Sequence, residues 1–274
     1  MKKTVVFSGY LLIILGAISM LAPFIWMLCV SFMTEAQIFS YPPNFIPQPF
    51  ITDNYIHIFE KLPITRFFIN SLFVALLTTI FQVLFSAMAG YAFARSKFKY
   101  KDFIFFIFLV TMMIPPQVNI VPLFFLMREL HWIDTYQALI VPGIFGGFGV
   151  FLMRQWFKNM SHEIEEAAKI DGCNIFEIFF KIALPLSIPA VVTLGLFTFI
   201  TTWNSFMWPL IVTNSPDITT LPVALAQFKG SFRETIMWGD LTACSVILSL
   251  PVILIYLAGK KYFINDMLSG GIKE

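Results

Sequence analysis

The chain has 274 residues, of which 58% are hydrophobic and 12% charged, and its formal net charge is +2. Soluble domains carry roughly 25% charged residues, so this composition excludes an ordinary soluble fold and points to lipid as the solvent. Its basic residues are spread over loops with no basic stripe, which excludes a nucleic-acid partner.

Six uncharged runs of 19 or more residues follow one another: Thr4–Thr34, Phe67–Ala94, Phe103–Met127, Thr135–Met153, Ile182–Pro216 and Leu241–Gly259. About 20 apolar residues cross a ~30 Å hydrocarbon core as a helix. The runs therefore predict an all-α integral membrane protein with six transmembrane helices, near 8–33, 68–94, 103–127, 136–156, 183–211 and 241–261, in one domain over 1–274. The first run follows Lys2-Lys3 but is too long for a signal-peptide core, and reads as a membrane anchor. The uncharged stretch Ala36–Thr52 holds Pro42, Pro43, Pro47 and Pro49, cannot sustain a helix, and is predicted to be an external loop.

Orientation follows from lysine and arginine. With the N-terminus inside, cytoplasmic segments hold 13 of the 18 basic residues, while acidic residues divide eight and eight. Only basic residues set topology, so both termini are predicted to be cytoplasmic. The turn Arg95 to Lys101 then reads as a basic clamp at the cytoplasmic surface. In the third span, Ile114-Pro115-Pro116-Gln117 breaks the helical ladder, and the kink either lines a passage or fits a neighbouring helix. Gly143, Gly146, Gly147 and Gly149 in the fourth span predict a close helix-packing face.

The polar loop 158–182, between the fourth and fifth spans, holds the densest charge in the chain. Ser161 suits an N-cap, and Glu163, Glu165 and Glu166 fall in or just after the first helical turn, where the dipole favours acids. Ile164, Ala167 and Ala168 make a small apolar stripe whose alanines admit a partner's surface. Gly172, after Asp171, suits a left-handed helix end. A second helix is predicted from Ile175 to Ile182, and Pro185 is placed in the first turn of the fifth span. From physics alone this hairpin is either an interfacial anchor or a lever pressed by another protein.

Within that loop, Glu166-Ala167-Ala168, Gly172 and Ile182-Ala183-Leu184-Pro185 resemble the EAA motif of the membrane subunits of ATP-binding-cassette (ABC) importers, with no departure at its defining positions. The segment Trp203-Asn204-Ser205-Phe206-Met207-Trp208-Pro209-Leu210 is similar to one in sugar-importer permeases. The tail Ser269-Gly270-Gly271-Ile272-Lys273 is similar, as a mild variant, to that of the smaller permease of the maltose-type (carbohydrate uptake 1) group. The resemblance implies a multi-pass protein of a bacterial or archaeal plasma membrane, in contact with lipid, forming half of a translocation pathway. It implies a second, larger permease subunit, a dimer of ABC ATPases and an extracytoplasmic solute-binding protein as partners. The coupling residues it implies are Glu163, Glu166, Ala167, Ala168, Asp171, Gly172 and Pro185. For the substrate path it implies Asn204; Thr202, Trp203 and Ser205 join it as hydroxyl and aromatic groups suited to a sugar, and Gln117 from the proline kink, though threonine, asparagine and serine serve equally well as interhelical hydrogen-bonding groups.

No phosphate-binding Gly-x-x-x-x-Gly-Lys-Ser/Thr loop occurs, so the chain is expected to be non-catalytic, to bind no cofactor, and to leave ATP to the partner. The rival transport class is a sodium-coupled secondary transporter; proton coupling fits poorly with six runs that lack ionisable residues. His57, His131 and His162 are predicted to be solvated loop residues, which leaves an embedded enzyme without a catalytic set. Cys29, Cys173 and Cys244 show no paired spacing and are expected to be structural, with no metal site implied.

Overall fold

A computed structural model describes residues 2–231 and 237–270; Arg233 of the external basic count and the tail from Gly271 to Glu274 lie outside the described residues. Every regular element in it is helical. Among the described residues, four helical stretches are long and apolar enough to cross a membrane: Gly9–Val30 within α1 (Lys2–Val30), α4 (Ile64–Arg95), Tyr136–Asn159, and Trp238–Lys261 within α15 (Trp238–Gly270). Two bent pairs bring the number to six if each counts as one span.

The third span is one of these. α5 (Lys101–Met113) meets the segment Pro116–Glu129, which ends in α6 (Ile120–Glu129), at 94°. Ile114 precedes proline and is extended at φ −84°, ψ 118°, and Pro115 follows at ψ 131°, so two consecutive residues leave the helical region. The fourth span is interrupted more gently, as α7 (Tyr136–Ile140), a 3₁₀ turn at Val141–Gly143, and α8 (Gly147–Asn159).

The fifth span corrects the sequence reading. α10 (Ile175–Ile178) runs through a π turn at Phe179–Ala183 into α11 (Leu184–Leu186) without a break. Pro185 thus lies inside a continuing helix, where the widened turn just before it accommodates a residue that cannot donate to the ladder. The chain bends by 76° at Ser187, and it is Pro189 that occupies the first turn of α12 (Ile188–Trp203). α12 then stops at Asn204, and α13 (Met207–Val212) resumes three residues later.

By contact density the chain groups into two units, residues 1–68 with 221–251 and residues 69–220 with 252–274. In the first, the predicted external loop is irregular apart from α2 (Glu35–Ile38), a single turn closed by a Thr34–Gln37 capping box, and is followed by α3 (Asp53–Lys61). Asn54 is buried and donates to the carbonyls of Ser31 (3.0 Å) and Met33 (2.9 Å), while Phe32 stacks on Phe50 at 4.3 Å. α14 (Leu221–Ser231) also belongs here. At the head of α15, Asp240 is fully buried between Lys61 (3.2 Å) and His57 (3.6 Å), and Gly239 N donates to Glu35 at 3.0 Å. His57 therefore sits on a helix facing an acid, not in a solvated loop.

The second unit contains a core of its own. Ala87, Tyr91, Met153, Phe157, Ala168, Ile178, Phe179, Ala183, Ala190 and Leu194 form one cluster that draws on α4, α8 and the 162–194 region. Helices approach closely at glycine: a Cβ on Gly90 would stand 2.6 Å from Met153 Cβ and 2.8 Å from Arg154 N, and one on Gly149 2.3 Å from Ser86 Oγ. Gly146 and Gly147 are similarly filled by Gln82 and by the carbonyl of Phe108, so the fourth-span glycines are a packing face. Arg154 is buried, with its guanidinium 3.7 Å from the Phe105 ring centroid and 3.1 Å from Asp102. Outside the helices, Asp134 at φ +61° accepts from the amides of Asn214 (2.7 Å) and Ser215 (3.0 Å), joining the turn after α6 to the turn after α13.

Candidate functional site: a helical hairpin and a polar cavity

The polar loop folds as a helical hairpin. Ser161 Oγ accepts from Glu163 N at 3.2 Å and starts α9 (His162–Ile170), with Glu163 and Glu165 in its first turn. At its end Gly172 N donates to Lys169 O (3.1 Å) and Cys173 N to Ala168 O (2.9 Å), a Schellman closure that requires a left-handed residue. Gly172 supplies it at φ +86°. Asn174 then caps α10, accepting from Phe176 N and Glu177 N at 3.0 Å each.

The hairpin has two faces. Glu163, Ile164, Glu166, Ala167, Lys169 and Ile170 are exposed, and Ile170 is 86% exposed although strongly apolar. Glu165 and Ala168 are buried. Ala168 packs in the core of the second unit and therefore does not form part of a surface offered outward, which corrects the stripe expected from Ile164, Ala167 and Ala168. Phe179 is buried in the same core, whereas Phe176 and Phe180 are exposed.

Beneath α9, one guanidinium gathers the hairpin's entrance. Arg95, the last residue of α4, places Nε 2.9 Å from Glu165 Oε1, both side chains being almost wholly buried. The two atoms meet at ion-pair distance without the alignment of a hydrogen bond. Arg95 Nη2 donates to the Met160 carbonyl at 2.5 Å, and Nη1 lies 2.6 and 3.0 Å from the ring nitrogens of His162. His162 is exposed, as expected, but it stands at the start of a helix and is engaged by Arg95 instead of lying in a loop. In the same basic turn Lys101 donates to Ser96 O at 3.0 Å, so the turn is a bonded structure as well as a concentration of positive charge.

The second feature is a cavity of about 520 Å³ lined by Thr78 and Gln82 of α4, Pro116 and Gln117 of the third-span break, Thr201 and Thr202 of α12, and Ser205 to Trp208 of the fifth-span break. Leu123, Leu139 and Pro142 give it apolar wall. Thr78 Oγ1 is buried there with no hydrogen-bond partner among the described residues, while Thr201 Oγ1 is turned back onto the Phe197 carbonyl at 2.8 Å. The Trp208 indole is fixed by a 2.9 Å bond from Nε1 to Ala138 O. A few converging amides and hydroxyls in a mainly apolar cleft of this size is the ordinary form of a small-molecule site.

A family model described as "Binding-protein-dependent transport system inner membrane component" matches residues 82–267. The chain belongs to that family. It is therefore the membrane permease component of an ABC importer, and not a sodium-coupled secondary transporter. The permease is 35% identical over 268 residues to the "Probable ABC transporter permease protein YurM" of Bacillus subtilis (strain 168), covering 97% of this chain and 88% of that one. It is 38% identical over 228 residues to the "Arabinooligosaccharides transport system permease protein AraQ" of the same organism, covering 83% and 80%. With the "Trehalose/maltose transport system permease protein MalG" of Thermococcus litoralis it shares 33% identity over 277 residues, 96% of each chain. A chain of a bacterial ABC transporter involved in the import of the acidic polysaccharide alginate has the same fold, with TM-score 0.85, 23% identity, and coverage of 95% of this chain and 97% of that chain.

Placed on the permease, the residues singled out from sequence divide. Gln117, Thr202 and Ser205 meet at the cavity wall. Trp203 does not: it is 1% exposed and stacks on Phe199 at 5.8 Å, so it is core. Asn204 is exposed and caps α12, its Nδ2 donating to Ile200 O at 2.8 Å, which ends the helix instead of facing the cavity from within it. Thr78 and Gln82 escaped sequence reasoning because nothing sets them apart from other polar residues, Asn70, Ser71, Thr79 and Ser86, scattered along the same apolar helix. Glu165 escaped it because nothing in Glu163-Ile164-Glu165-Glu166 marks which acid turns inward.

Proposed function

We propose that this permease forms half of the translocation path for a carbohydrate or related polyhydroxylated solute, and that α9 is the helix through which a separate ATPase drives it. The cavity carries the substrate reading: Gln82, Gln117, Thr202 and Ser205 offer amide and hydroxyl groups that match sugar hydroxyls, beside the fixed indole of Trp208. The names of relatives that transport arabinooligosaccharides and trehalose or maltose support the same substrate class. A glycerol-bearing cargo stands beside them in the "Sulfoquinovosyl glycerol transport system permease protein SmoH" of Agrobacterium fabrum, 32% identical over 255 residues.

The exposed face of α9, with Glu163, Glu166, Ala167 and Ile170, docks on the ATPase, and Gly172 holds its angle to the following helix. ATP binds and is hydrolysed on that partner. A second, larger permease completes the path, and a solute-binding protein delivers cargo from the outside. Both termini and the hairpin are cytoplasmic, in keeping with 13 of 18 basic residues on that side.

Competitive uptake of a panel of labelled sugars by cells carrying Gln117→Ala or Thr202→Val tests the substrate reading. Relative uptake should change several-fold among sugars with transporter amount unchanged, while Asn204→Ala should leave the ranking as it is. An unaltered ranking in Gln117→Ala and Thr202→Val would remove the cavity from the path.

A further inference from the structure

We infer that Arg95 is the positioning residue that clamps the coupling helix to the wall of the cavity, so that movement of α9 is delivered to substrate through α4. The inference rests on the reading of α9 as the ATPase-coupled helix and names the route by which that coupling travels.

Only two side chains of α9 are buried, Glu165 and Ala168, three residues apart and hence on one face. Both are held in the neighbourhood of the end of α4. Glu165 is ion-paired with Arg95, and Ala168 lies in the core cluster that includes Tyr91, one helical turn before Arg95. Two attachment points on one face prevent α9 from rolling or pivoting about a single contact. Arg95 also bonds to the Met160 carbonyl and lies against His162, so the residues just before and inside the helix start are tied down as well. A push on the exposed face at Glu163, Glu166 or Ile170 therefore moves the end of α4, and is not absorbed by the connection at residues 159–161.

α4 is one unbroken helix, and its residues Thr78 and Gln82 form part of the cavity wall. Thr78 and Arg95 lie roughly 25 Å apart along it at about 1.5 Å per residue. The same rigid element thus carries the clamp at one end and polar cavity groups farther along. Lysine cannot replace Arg95 here, because a single ammonium lacks the forked donors that reach Glu165, Met160 and His162 together. The pair is closed to solvent, so loss of either member leaves a buried charge unmatched.

The test uses the complete transporter, with both permeases, the ATPase and the solute-binding protein, in liposomes. Solute carried per ATP hydrolysed is measured for Arg95→Lys, Arg95→Gln, Glu165→Gln and the exchanged pair Arg95→Glu/Glu165→Arg, with ATPase retention checked by co-purification. The single variants should keep the ATPase bound and hydrolysing, yet carry about ten-fold less solute per ATP, and the exchanged pair should recover part of that loss. A ratio equal to wild type in Arg95→Lys and Glu165→Gln would overturn the inference, as would an exchanged pair no better than the single variants. If Arg95→Gln fails to accumulate in the membrane, Arg95→Lys, which keeps the charge, decides alone. Glu166→Ala on the exposed face separates the two readings. If it leaves ATPase binding and hydrolysis untouched, α9 is not the coupled helix; if it impairs them while the Arg95 variants carry solute normally, the coupling helix stands and only the clamp falls.

Discussion

Gly172 allows a prediction in which backbone strain is the single term. It stands at φ +86°, and a Cβ added to it would meet nothing within 4 Å, so a side chain there brings no clash. An L-residue held in the left-handed region costs about 1–2 kcal/mol, with asparagine at the low end and β-branched residues at the high end. The two hydrogen bonds that close the turn, from Gly172 N and Cys173 N, fix that conformation and leave no cheaper alternative within the hairpin. A local penalty of one to two kcal/mol lowers the closed-hairpin population relative to opened forms by a factor of about 5–30. Solute carried per ATP should therefore fall in the order Gly, Asn, Ala, Val at position 172, with Gly172→Asn close to wild type and Gly172→Val the most impaired. The assay is simultaneous uptake and phosphate release from the reconstituted transporter, with thermal unfolding as a check that the remaining fold is intact. If Gly172→Asn were as damaging as Gly172→Val, the position would be sensing size and not backbone handedness, and the reasoning would fail. Wild-type behaviour of Gly172→Val would refute it outright.

Two further predictions concern the frame that holds the site. Gly90→Ala should destabilise the permease by about 1–3 kcal/mol, because the new methyl meets the backbone of α8 and not a movable side-chain end; an unchanged unfolding midpoint relative to Gly16→Ala, where nothing lies within 4 Å, would contradict this. At Asp134 burial disfavours the charge, but the amides of Ser215 and Asn214 and the Ser215 hydroxyl outweigh it and hold the carboxyl below its usual range. A depressed folded-state value means stability that is present above the unfolded value of about 3.9 and lost as pH falls through the folded one. Asp134→Asn, which keeps an acceptor and tolerates positive φ, should lower stability at neutral pH, and its deficit should vanish as the medium is acidified below that range. A deficit independent of pH would assign the effect to shape.

The apolar segments were legible because charge is scarce and each uncharged run is long enough to cross a bilayer; among the described residues four helices qualify as spans, and six if each bent pair counts as one. The hairpin was legible for a different reason: its caps are local chemistry, with Ser161, Gly172 and Asn174 each serving a backbone group within a few residues. What sequence did not yield depends on distant partners. Nothing near Glu165 announces Arg95, 70 positions earlier, and nothing near Asp240 announces Lys61 or His57. The assignment of Pro185 to a first turn failed because proline in a helix start and proline beside a π turn leave the same mark in sequence, and Pro189 provided the actual start. Asn204 and Trp203 lie outside the cavity lining, and for Asn204 the ambiguity is a related one: a polar residue near the end of an apolar run serves as readily to cap a helix as to line a path.

Two of the places where the apolar runs break also line the cavity, and one constraint explains both. Hydrocarbon offers nothing to a free carbonyl or amide, so irregular backbone at membrane depth persists only where protein or water satisfies it. The third run breaks at Pro115 and Pro116 and the fifth at Asn204 to Phe206, and Pro116, Gln117, Ser205 and Phe206 all line the same space. Breaks facing lipid would cost several kcal/mol for each unmatched group; breaks facing a polar cavity let those groups meet water or a polyhydroxylated solute. The choice left open by the proline pair in sequence, between a passage and a packing kink, is thus narrowed by where its neighbours fall. The kink gives Gln117 a place at the wall, while the glycines of the fourth span, which do pack, are occupied by Gln82, Ser86 and the carbonyl of Phe108.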